Sequence, residues 1–199
     1  MNSQDPEVTE ASLAAAAPSR PDDAVALVLV NLGTPSAPEP GPVRSFLREF
    51  LSDRRVIEMN PFLWKPILEG IILRVRPREV SRKYRSIWLE QGSPLMHYTR
   101  EQARLLGERL PGVRVEVAMR YGQLSIGAAL DRLHAQGVRR VAVLPAYPHY
   151  SATTVASIND AVCAWIGRNR DGFEMRLHRS FPASPAYIDA LAVALEAHW

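Results

Sequence analysis

Aromatic, hydroxyl and cationic side chains follow three apolar segments of this sequence. The stretch LPAYPHYSATT, residues 144–154, continues the apolar run RVAV and holds two tyrosines, one histidine and three hydroxyl residues. MRYGQLS, residues 119–125, places Arg120 beside Tyr121 after another apolar run, and NLGTP, residues 31–35, follows a third. Aromatic faces combined with hydroxyls and fixed positive charge suit a large flat ligand that carries carboxylates.

Ten residues form the candidate binding set. Two of them are the basic pair that follows the first predicted helix, and the others stand at predicted strand ends. They are Arg54, Arg55, Arg120, Tyr121, Tyr147, His149, Tyr150, Ser151, Thr153 and Thr154. The alternative interpretation is that the hydroxyls only satisfy backbone groups where a strand ends, as Ser and Thr side chains often do.

Several other chemistries lack their sequence signatures. Neither the G-x-G-x-x-G nor the G-x-x-x-x-G-K-[ST] phosphate loop is present, and no G-x-S-x-G nucleophile elbow is found. No cysteine and histidine cluster has zinc spacing. The five histidines are scattered, and His149 alone stands at a predicted strand end, which makes it a weak candidate for a metal contact.

These segments must be positioned by an alternation of strands and helices. AVALVLVNLG reads as a strand buried on both faces, and GVRVEVAM, RVAVLP and FEMRLHRSF read as three more. Amphipathic segments separate them, and hairpin signals are absent. This order predicts an α/β protein with a parallel, Rossmann-like or flavodoxin-like sheet and helices on both faces. Ligands bind beyond the carboxyl ends of such strands, where the candidate residues lie.

Local signals place several helix boundaries. Pro42 is expected to begin the first helix, Thr99-Arg-Glu-Gln matches a capping box, and Ser125 is expected to cap a helix through Gln136. The last helix is expected to open at Ser184-Pro185 and still to run at Trp199.

Residues 61–73 are unusually apolar, and we call them the apolar lip. Pro61, Pro66 and Gly70 argue against one straight buried helix in this region. The segment is either a packed connector or an exposed surface that touches a membrane or a hydrophobic ligand.

Composition sets the remaining limits. Residues 1–23 lack large apolar side chains and are predicted to be a disordered tail without secretory-signal features, so the ordered domain is expected at 24–199. The net charge of +3, with arginines spread along the chain, favours a mixed solvated surface over a nucleic-acid interface. A single cysteine, Cys163, fits a reducing cytoplasm. No apolar run reaches the length of a membrane span.

Five blocks of the sequence resemble the amino-terminal half of ferrochelatase, in the same order. They are LVNLGTPSAP, VRSFLREFLSDRRVIEMN, GSPLMHYTREQA, MRYGQLSI and LPAYPHYSATT, and the similarity runs from about Val25 to the last residue. The resemblance implies a fold of two similar halves with a porphyrin in the cleft between them. It also implies an enzyme that inserts Fe(II) into protoporphyrin IX to form protohaem, with no permanently bound cofactor.

The resemblance also implies residue roles. Arg120 and Tyr121 match a pair that borders the porphyrin, and residues 147–154 match a cleft-lining segment. Arg54 and Arg55 match a basic position near the cleft entrance, and residues 61–73 match the lip through which the macrocycle enters. His149 departs from the family, many of whose members have glutamine there.

The principal metal-handling residues are expected elsewhere. The resemblance puts the family's histidine, in an S-x-H block, and its glutamate after Trp199, so the sequence looks like one half of a ferrochelatase with weak or no activity alone. Two alternatives stay open: a non-catalytic module that binds porphyrin or haem, and a flavodoxin-like nucleotide-binding domain, which the missing phosphate loop disfavours.

Overall fold

The computed structural model describes residues 24–199, and the predicted tail at 1–23 lies outside the described residues. Within 24–199 four strands form one parallel sheet in the order β2-β1-β3-β4. Their bounds are Val25–Thr34 (β1), Val113–Gly122 (β2), Arg140–Pro145 (β3) and Glu174–Leu177 (β4). The predicted α/β class is confirmed. The order also makes β1 the point where the chain changes direction across the sheet, which is where such folds bind ligands.

Helices cover both faces of the sheet. Their bounds are Pro40–Ser52 (α1), Pro61–Ile67 (α2), Leu73–Ile87 (α3), Pro94–Arg109 (α4), Ile126–Ala135 (α5), Ser157–Ile166 (α6) and Pro185–Glu196 (α7). Successive β1 side chains face opposite sides. Val28 and Val30 pack in a core with α5 and α6, whereas Leu29 faces α4.

A second core lies beneath the apolar lip. Val43, Phe46, Leu47 and Leu51 of α1 pack with Leu68 and Leu73 and with the ring of Tyr121. The indole N–H of Trp64 donates to the Leu51 carbonyl at 2.7 Å. The lip is therefore fixed to α1 along one side.

The lip is helical throughout. A π-helical segment, Leu68–Ile72, joins α2 to α3, and both Pro66 and Pro77 lie inside helices. The prolines do not break the helical run, but the run is not a buried helix, because its outer side stays exposed and the π-helical segment interrupts the regular spacing. Phe62, Leu63 and Ile71 are exposed to 88%, 64% and 61%.

Two glycines bring β1 and β2 unusually close where these strands end. Gly33 has φ +112°, and a Cβ there would lie 2.0 Å from the Tyr121 carbonyl oxygen. Gly122 has φ +81°, and a Cβ there would lie 2.8 Å from the Thr34 carbonyl oxygen. Only glycine fits either position without displacing the opposite backbone.

Three local predictions need correction. The first helix begins at Pro40 rather than Pro42, since Pro40 also occupies a first-turn position where its missing N–H costs nothing. Thr99 caps no helix: α4 already begins at Pro94, and the Thr99 hydroxyl donates to the Leu95 carbonyl inside it. The last helix ends at Glu196, before Trp199. The predicted cap at Ser125 is confirmed, because its hydroxyl accepts from the Ala128 N–H.

Candidate functional site

Three elements bring four polar residues together at the carboxyl edge of the sheet. Arg120 and Tyr121 are near the end of β2, Ser157 opens α6, and Asp53 directly follows α1. α1 lies across this edge, because the ring of Phe50 packs edge-on against Tyr121 with 5.3 Å between ring centres. We call Asp53, Arg120, Tyr121 and Ser157 the Asp53 cluster.

One carboxylate oxygen joins the cluster. Asp53 Oδ2 accepts from Arg120 Nη2 at 2.6 Å, from the Tyr121 hydroxyl at 2.7 Å and from Ser157 Oγ at 2.5 Å. The other oxygen, Oδ1, accepts from the backbone N–H of Arg55 at 2.7 Å. Both oxygens of a nearly buried carboxylate are therefore satisfied, as burial of a charged group requires.

The surroundings keep this carboxylate ionised. Burial acts to raise the pKa of Asp53, but hydrogen bonds from Ser157, Tyr121 and the Arg55 N–H, together with the charge of Arg120, outweigh it and lower the pKa. Burial, opposed by the bond with Ser157 and reinforced by Asp53, raises the pKa of Tyr121 to about 12. The cluster is thus a fixed arrangement of one anion, one cation and two hydroxyls at neutral pH.

Arg120 is the only member of the cluster with a partly exposed end. Its Nε donates to Ser157 Oγ at 2.6 Å and to the Ser157 carbonyl at 3.0 Å. Its guanidinium carbon also lies 4.4 Å from the centre of the Tyr121 ring. Within residues 24–199 no hydrogen bond involves Nη1, and the side chain is 19% exposed. The arginine can therefore offer charge and one nitrogen to a ligand while the rest of it is held in place.

The basic pair after α1 splits between two roles. Arg55 forms a bidentate ion pair with Asp160 of α6 at 2.7 and 3.0 Å. Arg54 is exposed, and it has no ion pair within the part of the chain that the structure describes. Of the two predicted ligand contacts, Arg54 is therefore the free cation.

Tyr147, whose ring packs against the core beneath α5 and α6, belongs to a second polar group that its hydroxyl forms with Asn31 of β1 and Thr99 of α4. Its hydroxyl donates to Asn31 Oδ1 at 2.9 Å, and Asn31 Nδ2 donates to the Thr99 hydroxyl at 3.1 Å. Burial raises the pKa of Tyr147 to about 12. This group borders the carboxyl edge where β1 meets β3, and within residues 24–199 no hydrogen bond joins it to the Asp53 cluster.

The loop after β3 has a local structural role. Ser151 caps the π-helical segment Ala152–Ala156: its Oγ accepts from the Thr153 N–H at 3.3 Å and lies 2.9 Å from Thr153 Oγ1. Tyr150 lies beneath the guanidinium of Arg179, 4.6 Å from the ring centre. The exposed ring of His149 lies 6.3 Å from that of Tyr187 in α7. The predicted ligand contacts of Ser151, Thr153 and His149 stay predictions.

The sequence did not identify Asp53, Ser157 or Asn31 as site residues, and it suggested only a capping role for Thr99. Asp53 stands next to the two arginines that it did single out, in the block SDRR. An acidic residue between a helix end and two arginines was a usable signal. What the sequence does not show is that the carboxylate turns inward toward β2 while both arginines turn outward.

Metal ligands are not assembled in this half. Among residues 24–199 no group of three histidine, cysteine, aspartate or glutamate side chains is placed to hold a metal ion. Nor does any helix in that range combine the length and the apolar character needed to cross a bilayer.

The fold and the site define a class: an α/β protein with a flavodoxin-like parallel sheet and a cluster of polar and aromatic side chains at its carboxyl edge. A family model described as ferrochelatase matches residues 24–199. The chain belongs to the ferrochelatase family.

Curated relatives carry the same description. "Ferrochelatase 1" of Shewanella oneidensis is 47% identical over 184 residues, which cover 90% of this chain and 55% of the relative. The ferrochelatase of Methylibium petroleiphilum is 49% identical over 178 residues, covering 87% and 49%. That of Xylella fastidiosa strain M12 is 47% identical over 174 residues, covering 87% and 54%. The chain spans about half the length of the curated relatives it matches.

Proposed function

We propose that this chain provides the porphyrin-holding wall of a ferrochelatase that inserts Fe(II) into protoporphyrin IX to form protohaem. The observation that carries the proposal is the Asp53 cluster, which holds Arg120 at the ligand edge of a family-defining fold. Fe(II) is a substrate here, and no permanently bound cofactor is proposed.

Each residue has a role in this proposal. Arg120, through its one unbonded nitrogen, and the free Arg54 supply N–H donors and positive charge for the two propionates, and charge-assisted hydrogen bonds of this kind suit carboxylates. Tyr121 is buried, so it is a positioning residue that holds Arg120 through Asp53 rather than a ring-stacking contact. Arg55, Tyr147, His149, Ser151 and Thr153 shape the rest of the edge.

The chemistry requires the macrocycle to lose two pyrrole protons as one Fe(II) enters. A neutral imidazole near its pKa suits that transfer. We assign no such base within residues 24–199, and the family resemblance puts the histidine and glutamate after Trp199. We therefore propose weak or no metal insertion by the 199-residue chain alone.

Two spectroscopic experiments test the function. A Soret titration of the chain with protoporphyrin IX measures binding, and zinc or iron insertion is followed in the same cuvette. We expect the chain to bind protoporphyrin IX with micromolar affinity and without metal insertion. Arg120→Gln should weaken this affinity at least tenfold, because it removes a charge-assisted contact. Arg100→Gln, on the exposed side of α4, controls for the loss of one positive charge. Binding that is unaffected by Arg120→Gln would refute the assigned wall.

The same data separate the alternative functions. A non-catalytic porphyrin or haem-binding module would still bind without insertion after the remaining half of a relative is added in trans, whereas a ferrochelatase wall would recover turnover. A nucleotide-binding domain would be stabilised against heat by FMN or nucleotides and not by porphyrin.

We also propose a cytoplasmic protein whose apolar lip touches a membrane surface. Phe62, Leu63 and Ile71 expose large apolar side chains side by side, beyond what a water-facing helix needs. Co-sedimentation with neutral phosphatidylcholine vesicles tests this contact. Binding that persists in Phe62→Ser/Leu63→Ser would contradict it.

A further inference from the structure

A hollow between the start of α1 and α3 collects cationic side chains on the outside of the molecule. It has a volume of about 360 Å³ and is bounded by Pro40, Gly41, Arg44, Leu73, Arg74, Pro77 and Arg78. We call it the arginine hollow. Its lining contains three arginines and no acidic residue.

No ion pair neutralises these arginines: within residues 24–199, Arg44, Arg74 and Arg78 each lack one. Of the nearby acids, Glu69 forms a bidentate pair with Arg48 at 2.7 and 3.0 Å, although the charge of Arg44 also helps to lower its pKa, and Glu79 pairs with Lys83 at 2.7 Å. Glu39, directly before α1, has no ion pair within residues 24–199 and is the one acid beside the hollow that an anion must avoid. Three like charges around one hollow repel each other unless an anion lies between them.

Arg44 is the best-fixed of the three. It is half-buried, and its Nε is inaccessible to solvent without any hydrogen-bond partner in the structure. A buried guanidinium nitrogen left unpaired is costly, which is unusual in a native fold. An acceptor that entered the hollow would draw the Arg44 guanidinium into a bonded geometry and relieve this cost.

The backbone at the hollow also favours negative charge. In the first turn of α1 only Gly41 can offer a backbone N–H, because Pro40 and Pro42 have none and the Val43 N–H donates to the Glu39 carbonyl. The Glu39 side chain does not cap this group, so the Gly41 N–H and the partial positive charge at the helix start remain available to an anion. Gly41 leaves the approach open, since a Cβ there would meet no atom within 4 Å. An oxyanion fits this combination of open backbone and guanidinium groups.

We propose that the arginine hollow binds a phosphate-class anion, either a soluble phosphate compound or a phospholipid headgroup. The site is separate from the Asp53 cluster and does not depend on porphyrin binding. Exposed Ile71 and Val75 lie beside it along the same helical stretch, so a headgroup and its acyl chains would find compatible surfaces.

The first test measures free phosphate compounds. Heat unfolding of the 199-residue chain is followed against pyrophosphate at constant ionic strength, set with sodium chloride. We expect a rise in Tm that saturates. Arg74→Gln/Arg78→Gln should weaken the apparent affinity at least tenfold, whereas Arg76→Gln/Arg82→Gln, which removes the same charge from the same helix, should change it less than threefold. Arg44→Lys, which keeps the charge and removes the fork, should also weaken it.

The second test identifies the source of the anion. Co-sedimentation compares vesicles of phosphatidylglycerol with vesicles of phosphatidylcholine. Loss of phosphatidylglycerol binding in Arg74→Gln/Arg78→Gln, but not in the control pair, supports the site with a headgroup as its ligand. Loss of pyrophosphate binding alone supports it with a soluble ligand. The proposal is overturned if neither probe distinguishes the two pairs, or if the pyrophosphate effect equals that of chloride.

Discussion

The Asp53 cluster and the apolar lip adjoin the same helix, α1, and reverse the usual distribution of polarity. The cluster places a carboxylate and a guanidinium inside, with side-chain exposures of 8% and 19%, whereas the lip places Phe62 and Leu63 outside. In a globular protein, buried polar groups and exposed large apolar groups are exceptions, and such exceptions are informative about function. The difference indicates that the cluster fixes a geometry, and that the lip is available for contact.

The largest expected effect comes from removing the centre of the cluster. Asp53→Ala removes the ion-pair partner of the partly buried Arg120, and it leaves the hydroxyls of Tyr121 and Ser157, 3.0 Å apart, with only each other and Arg120 as partners. We expect a loss of about 3 kcal/mol in the free energy of unfolding, as when one partner of a buried ion pair is removed. Urea unfolding measures it. A loss below about 1 kcal/mol would mean that the cluster is not the fixed element that we describe.

Truncating an inner and an outer leucine of the lip should change the free energy of unfolding by different amounts. Leu68 is 1% exposed against α1, and Leu68→Ala should cost about 2 to 3 kcal/mol through lost burial and a cavity. Leu63→Ala, which removes the same atoms from the outer side, should cost less than about 0.5 kcal/mol. Equal losses in urea unfolding would show that the outer side is packed and would remove the contrast between the regions.

The loss of stability at low pH should depend on the carboxylate of the Asp53 cluster. The pKa of Asp53 is lowered below its ordinary value of 3.8, so its stabilising contribution is full above that value and is lost as the pH falls through the lower folded-state pKa. Urea unfolding between pH 6 and pH 2.5 should therefore show a steeper loss in the wild type than in Asp53→Asn. Parallel curves would contradict the charge assignment.

The smallest effect should come from the exposed ion pair beside the cluster. Arg55 and Asp160 have side-chain exposures of 45% and 52%, and solvent and salt screen such surface pairs. Asp160→Asn should therefore leave the urea midpoint in 0.15 M salt close to that of the wild type. A loss of stability comparable with that of Asp53→Ala would indicate that the Arg55–Asp160 and Arg120–Asp53 pairs form one network.

The sequence predicted the fold better than the site. Apolar runs such as residues 25–30 and 141–144 define buried parallel strands whatever surrounds them, and the alternation with helices then leaves few topologies. The start of α4 was predicted wrongly because the sequence around Thr99 matches a capping box, whereas the helix begins at Pro94, directly after Ser93. Such local signals compete, and packing decides between them.

At the site, residue types were predictable and orientations were not. Arg120 and Tyr121 were identified by their place after a strand, yet the partner that fixes both, Asp53, lies 67 residues before Arg120. No local pattern encodes that distance. Ser157 likewise looks like an ordinary residue near a helix start, and only the approach of α1 to α6 shows its role.

The close approach of Gly33 and Gly122 determines where this part of the molecule can be redesigned. Because the two main chains touch there, a library that varies either position would return almost only glycine. The hollow beside this contact is also bounded by Ser45 of α1, which is exposed. A change in its width is therefore best introduced from the exposed side of α1. The ends of β1 and β2 are therefore the side that substitutions cannot alter, and α1 is the side that they can.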